Sequence, residues 1–123
     1  MAEACTRPDS QLGQTAKQLN MMYKRTGLLS DYDLSETSGY NRAKLVILEQ
    51  RLRLLIAYPP CGPWSAMQNA NQQTPEQREN LRRKQLRSHR IFDGCKRLAQ
   101  QQVQQNGTAL AEQPVSSRAW EQA

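Results

Sequence analysis

Along this chain the spacing of apolar positions switches repeatedly between short strand-like runs and stretches with a helical period. Ala2 to Cys5 reads as a short strand. Thr6 to Ser10 is a loop in which Asp9 or Ser10 can cap a helix from about Gln11 to Asn20. Met21 to Arg25 suits a second short strand, and Gly27 to Thr37 a connection carrying Tyr32-Asp33-Leu34. The spacing then predicts a helix from roughly Gly39 to Gln50, with Ala43, Val46, Ile47 and Gln50 near one face and Leu45 and Leu48 widening it. Arg51 to Tyr58 follows as a strand. Its run Leu54-Leu55-Ile56-Ala57 is continuously apolar, which suits a strand covered on both faces, as in a parallel sheet.

Thr74-Pro75-Glu76-Gln77 is a strong helix start, because Thr74 can cap, Pro75 fits the first turn and Gln77 completes a capping box. That helix can run to Gln105, where Asn106-Gly107 stops it. Thirty residues make it roughly 45 Å long, so a bend or fraying is expected near its Gln-rich end. Leu81, Ser88, Phe92, Cys95, Ala99 and Val103 trace its expected inner face. Thr108 to Ala111 is a last short strand before Glu112-Gln113-Pro114.

Strands alternating with helices argue for an α/β fold: a small three-layer, mostly parallel sheet of about four short strands, flanking helices and one long basic helix. In such sheets ligands bind beyond the carboxyl ends of the strands. Asp33, Cys61 and Glu112 all fall at or just past strand ends on that edge.

Composition narrows the picture. The 123 residues fit one domain, residues 1–123, and only 37% of them are apolar, so the core must be thin or belong to a fragment of something larger. Net charge is +6, and eight of the 17 basic residues lie between Arg78 and Arg97. Such a balance favours a polyanion partner such as nucleic acid, with Arg83, Arg87, Arg90 and Arg97 on one helix face as its contacts; the plain alternative is a solvated face. Cys5, Cys61 and Cys95 form no CxxC pair and there is one histidine, so neither a disulfide framework nor a metal site is expected. No apolar run approaches a membrane span or a signal peptide. The expected setting is intracellular, nuclear or cytoplasmic, with reduced thiols.

Candidate chemistry centres on Cys61. Pro59, Pro60 and the Gly62-Pro63 pair restrict the backbone, and a thiol on such a loop near a helix start can become a nucleophile. The alternative is a small buried cysteine in a Pro-rich turn. Glu112 can act as a general acid toward a ring nitrogen, or be an exposed strand-end carboxylate.

Pro60-Cys61-Gly62-Pro63-Trp64-Ser65 resembles the Pro-Cys-x-x-Phe-Ser catalytic loop of cytosine-C5 DNA methyltransferases, which also follows an apolar strand. Glu112-Gln113-Pro114 is similar to that family's Glu-Asn-Val motif, and Tyr32-Asp33-Leu34 to its Gly-Asp-Ile-like turn. The resemblance implies a Rossmann-like methyltransferase half with S-adenosylmethionine as cofactor. Cys61, with Ser65 in the same motif, would be catalytic, the thiol attacking C6 of a flipped pyrimidine while Glu112 protonates N3. Asp33, Pro59 and Ser10 would contact the cofactor, and the basic helix would contact phosphates. The chain departs from the family in the turn Cys5 to Ser10, which has no glycine, and in Gln-Pro after the glutamate. A second reading is therefore a non-catalytic remnant that binds nucleic acid or a protein partner through the basic helix 76–105.

Overall fold

The ends of the helices decide where the strands fall. A computed structural model describes residues 1–4, 11–19, 24–26 and 32–122. In chain order these form β1 (Ala2–Ala4), α1 (Gln11–Gln18), β2 (Lys24–Thr26), α2 (Thr37–Gln50), β3 (Leu54–Ala57), α3 (Pro75–Gln104) and β4 (Thr108–Ala111). Three short 3-10 turns, Gly62–Trp64, Ala66–Asn71 and Arg118–Gln122, lie outside them. Arg51, with φ at 45°, ends α2 in the left-handed region. That costs a residue with a Cβ about 1–2 kcal/mol, and it delays β3 until Leu54 where the apolar pattern predicts a strand from Arg51. Asn106 does the same for α3 at φ 64°, a conformation asparagine tolerates well, so that helix stops where the Asn-Gly pair predicts.

The fold is α/β with parallel pairing and one long helix, as the alternation predicts. The strand order is β2-β1-β3-β4. β1 pairs with β2 through Ala2↔Lys24 to Ala4↔Thr26, and with β3 through Ala2↔Leu55 to Ala4↔Ala57. β3 pairs with β4 through Leu54↔Thr108 to Ala57↔Ala111. The chain thus steps one way from β1 to β2 and the other way from β2 to β3 and β4. With right-handed crossovers, that reversal assigns α1 to one face of the sheet and α2 and α3 to the other. α2 and α3 do pack on each other.

The core lies between the sheet and these two helices. It joins Ala2, Ala4, Leu55 and Ala57 of the strands to Tyr40, Ala43 and Ile47 of α2, to Ile91, Cys95 and Leu98 of α3, and to Leu34 and Leu52. β3 alternates: Leu55 and Ala57 are buried, while Leu54 and Ile56 are half-buried. Both faces of β3 are thus covered, one fully and the other in part. Leu45 and Leu48 do not widen the buried face of α2; both are exposed. On α3 the buried positions are Leu81, Ser88, Ile91, Gly94, Cys95, Leu98 and Gln102, whereas Val103 is 60% exposed. The seven-residue spacing of Leu81, Ser88, Cys95 and Gln102 sets this stripe, and Phe92 and Ala99 sit only at its border.

The Gln-rich end of α3 does not fray; the helix continues to Gln104. It is fastened by its own amides. Gln102, fully buried, donates from Nε2 to the Leu52 carbonyl at 2.6 Å. Gln105 Nε2 donates to the Ile47 carbonyl at 3.1 Å and to Gln102 Oε1 at 2.9 Å. A buried polar group is tolerated only when satisfied, and these bonds satisfy it while tying the end of α3 to the start of β3. At the other end the capping box forms: the Gln77 backbone N–H donates to Thr74 Oγ1 and the Thr74 N–H to Gln77 Oε1, each at 3.1 Å.

Close helix packing rests on two glycines. A Cβ on Gly94 would stand 2.9 Å from the Leu34 carbonyl oxygen, and one on Gly39 only 2.1 Å from that of Asp33. Replacing an exposed helix glycine by alanine normally stabilises by about 1 kcal/mol. At Gly39 the clash with backbone outweighs this, since overpacking costs about 1–3 kcal/mol. Gly39→Ala should therefore lower the urea midpoint with an unchanged m-value, and a raised midpoint would contradict the packing.

Candidate functional site

A loop with three prolines has carbonyl acceptors but few N–H donors of its own. Residues 59–63 contain Pro59, Pro60 and Pro63, and each carbonyl in the segment has a partner supplied from elsewhere. The Pro59 carbonyl accepts a hydrogen bond from Gln113 Nε2. The Pro60 carbonyl accepts from Ser88 Oγ at 3.2 Å. Gln68 Nε2 donates to the Gly62 carbonyl at 3.0 Å and Gln85 Nε2 to that of Pro63 at 3.1 Å. The Cys61 carbonyl accepts from the Trp64 N–H at 3.0 Å. Ser88 also receives the Trp64 indole N–H at 2.9 Å. Both side chains are buried, Ser88 being 2% exposed, so indole, hydroxyl and Pro60 carbonyl form a hydrogen-bonded relay from the loop to α3.

The relay fixes the height of α3 against the sheet. Ser88 meets the loop that leaves β3, and thirteen residues of α3 precede it from Pro75. At 1.5 Å per residue, about 20 Å of helix therefore stands beyond the carboxyl edge of the sheet. That portion packs against the two 3-10 turns of residues 62–71 and carries Arg78, Arg82, Arg83, Lys84 and Arg87.

Cys61 is a free thiol and exposed, not the buried cysteine of the alternative reading. The helix start expected beside it is a three-residue 3-10 turn. Space in front of the loop is open, because a Cβ on Gly62 would meet no atom within 4 Å. Glu112 leaves the adjacent strand: its N–H donates to the Ala57 carbonyl at 3.0 Å, continuing the β3–β4 ladder. Its side chain is exposed. Gln113, buried, ties the Glu112 segment to Pro59, and its Oε1 accepts from Ser117 Oγ at 3.2 Å. The structure thus brings the Cys61 loop and Glu112 to neighbouring positions on one sheet edge.

The other candidates are placed differently. Ser65 Oγ accepts from the Met67 N–H at 3.3 Å and caps the second 3-10 turn. Pro59 is buried. Asp33 Oδ1 accepts from the Ser35 N–H at 2.9 Å and hydroxyl at 2.7 Å, and Oδ2 from Arg87 at 2.8 Å. Burial works against the Asp33 charge, but the Ser35 bonds and the Arg87 guanidinium outweigh it and hold the carboxyl below its ordinary range. Ser10 lies outside the described residues. Of the arginines named for nucleic acid, Arg87 is held by Asp33, Arg97 lies 4.2 Å from the Tyr40 ring centre, and Arg83 bonds Glu79 at 3.1 Å. Arg90 is exposed.

Two cavities flank the Cys61 loop. One of about 390 Å³ is apolar and lies between α3 and β4, walled by Phe92, Ala99, Leu110, Ala111 and Trp120. The other, about 320 Å³, is polar and lies between the projecting end of α3 and residues 63–72. Among the described residues no group of three or more His, Cys, Asp or Glu could hold a metal ion, and no helix is long and apolar enough to cross a membrane.

Gln113, Ser88, Gln85 and Trp64 are the residues that sequence reasoning missed as organisers of the site. The available signal was three prolines in five residues, whose carbonyls needed outside donors. Ser88→Ala leaves the Trp64 indole N–H and the Pro60 carbonyl without their buried partner, and should cost about 1–3 kcal/mol in chemical denaturation; an effect below about 0.5 kcal/mol would contradict the relay. The lowered Asp33 value gives a second expectation. Its stabilisation is complete above the unfolded carboxyl value near 3.9 and is lost as pH falls through the lower folded value. The stability gap between wild type and Asp33→Asn should hold constant above about pH 5 and shrink below about pH 4; a gap that widens on acidification would contradict it. Compared with family models, with curated proteins and with solved structures, the chain gives no match.

Proposed function

We propose that this chain is a methyltransferase-like protein of the cytosine-C5 kind, with a Rossmann-like half-fold, acting on an unpaired nucleobase through Cys61. The observation that carries the reading is the pairing of β3 with β4, Ala57↔Ala111. It sets a nucleophile-bearing loop and a carboxylate-bearing segment side by side on one carboxyl edge. The reversal of strand order between β1 and β3 adds support, because a crevice opens at such a switch point in an open α/β sheet.

The chemical step is an addition. The Cys61 sulfur forms a bond to C6 of cytosine. The C5=C6 electron pair moves to make C4=C5, and the former C4=N3 pair goes to N3, which takes the proton given up by the Cys61 thiol, relayed through the Glu112 carboxylate. C5 is now electron-rich and accepts a proton from water; loss of the original C5 hydrogen to water, return of the N3 proton through Glu112 and expulsion of sulfur restore the base and the thiol. A duplex shields C6, so the base must be flipped or single-stranded.

S-adenosylmethionine is the methyl donor that belongs to this reading. The described residues fit it poorly: both Asp33 carboxylate oxygens bond within the chain, and the Pro59 carbonyl is bonded to Gln113. The addition itself needs only Cys61 and Glu112. A second reading, non-catalytic binding of nucleic acid or a protein partner through residues 76–105, is favoured by the basic end of α3 that projects past the sheet.

The test is exchange of the C5 hydrogen of a single-stranded cytosine oligonucleotide with deuterated water, read by mass spectrometry. Wild type should catalyse exchange without added cofactor. Cys61→Ser should abolish it, and Glu112→Gln should slow it about 10²–10⁴-fold. Exchange that survives Cys61→Ser would exclude this mechanism.

A further inference from the structure

The polar cavity has a composition that its surroundings do not need. It is lined by Arg78, Arg82 and Arg118, with Ser65, Gln68 and Gln72 among the neutral groups, and no acidic side chain lines it among the described residues. These residues come from three separate stretches of chain: the second 3-10 turn and its flanks, the first turns of α3, and the 3-10 turn at residues 118–122. Folding therefore assembles three cations around one hollow, and the carboxylates that pair with Arg82 and Arg118, Glu79 and Glu121, do not line it.

Each guanidinium keeps donors to spare. Arg78 spends one, from Nη1 to the Gln72 carbonyl at 3.2 Å. Arg82 spends Nε and Nη2 on Glu79, at 2.9 and 3.0 Å. Arg118 approaches Glu121 only to 3.9 Å, beyond hydrogen-bond distance. A guanidinium carries five N–H donors in a planar fork that matches a phosphate oxyanion, so most of the guanidinium N–H groups around this hollow have no acceptor among the described residues. The Ser65 hydroxyl accepts from Met67 N–H and can still donate its proton.

Position gives the ligand's class. Ser65 is four residues from Cys61, at most about 14 Å along the chain. That separation is on the scale of one or two nucleotides of a single strand. We propose that this cavity, and not the Arg83–Arg97 face of α3, seats a backbone phosphodiester of the nucleic acid whose base is presented to Cys61. The choice of nucleic acid rests on the function proposed above; the preference for a phosphate rests on the three arginines alone.

The experiment follows binding of a fluorescein-labelled single-stranded 12-mer by anisotropy from 50 to 300 mM salt. Arg78→Gln/Arg118→Gln should weaken binding about tenfold or more at the lowest salt and reduce the slope of log affinity against log salt by about one to two. Arg83→Gln/Arg90→Gln should change both less. Arg118→Gln alone is included because Arg118 is exposed and, among the described residues, approaches only Glu121, at 3.9 Å, so its loss should leave the fold intact; thermal melts check all variants. Inorganic phosphate is added as a competitor at constant ionic strength. Displacement of the 12-mer by low-millimolar inorganic phosphate would overturn the proposal in favour of a free-phosphate site, and displacement only by oligonucleotide supports it. Wild-type affinity and slope in folded Arg78→Gln/Arg118→Gln would overturn it even if C5 exchange is intact. Absent C5 exchange with the expected binding losses would defeat the methyltransferase-like reading and leave this seat standing.

Discussion

The acceptor-rich proline loop after β3 is the constraint around which the rest of this structure is arranged. Three prolines in residues 59–63 remove N–H groups while leaving every carbonyl, and a carbonyl left without a partner in a part-buried loop costs free energy comparable to a lost hydrogen bond. The chain meets the demand locally with the Trp64 and Ser65 N–H groups and the Gln68 amide, and from far along the sequence with the side chains of Gln85, Ser88 and Gln113. Two of these lie on α3 and one follows β4. Satisfying the loop therefore docks the long helix at a fixed height and draws the Glu112 segment against the β3 edge.

That arrangement explains features that otherwise look unrelated. α3 is much longer than the strands it crosses, and its first half covers no sheet. It instead walls the space above the carboxyl edge, where the 3-10 turns pack against it and the polar cavity forms. Cys61 is exposed because the loop is held from behind, by its carbonyls, with its open side at Gly62. The interior is built from small residues such as Ala2, Ala4, Ala43 and Ala57, with Gly39 and Gly94 letting backbones meet. A thin core of that kind gives the buried amides and hydroxyls a larger share of the work of fixing one structure.

Much of this was legible in the sequence, for physical reasons that can be named. The capping box at Thr74 and Gln77, the Asn-Gly stop and the apolar run at Leu54 are local signals, and local signals survive folding. Placement of the Cys61 loop and Glu112 after the ends of β3 and β4 also followed from element order. The misses share a cause, which is side-chain polarity read by type instead of by partner. Gln102 and Gln105 looked like a fraying tail and are fastenings. Gln113 looked like a departure from a motif and is the link between the two halves of the site. Arg87 and Arg97 looked like surface charge and are engaged by Asp33 and Tyr40. No period or composition could show these pairings, because each joins positions far apart in the chain.

The central claim is that pinning the loop, as well as the chemistry of Cys61 and Glu112, makes the site. Gln113→Leu tests it most directly, since it keeps thiol and carboxylate and removes the buried amide that donates to Pro59 and accepts from Ser117. Misplacement by about 1 Å can cost a hundredfold in rate. The measurement is the rate of C5 hydrogen exchange in the folded Gln113→Leu variant. The account predicts a loss of about that size, and a rate equal to wild type would contradict it.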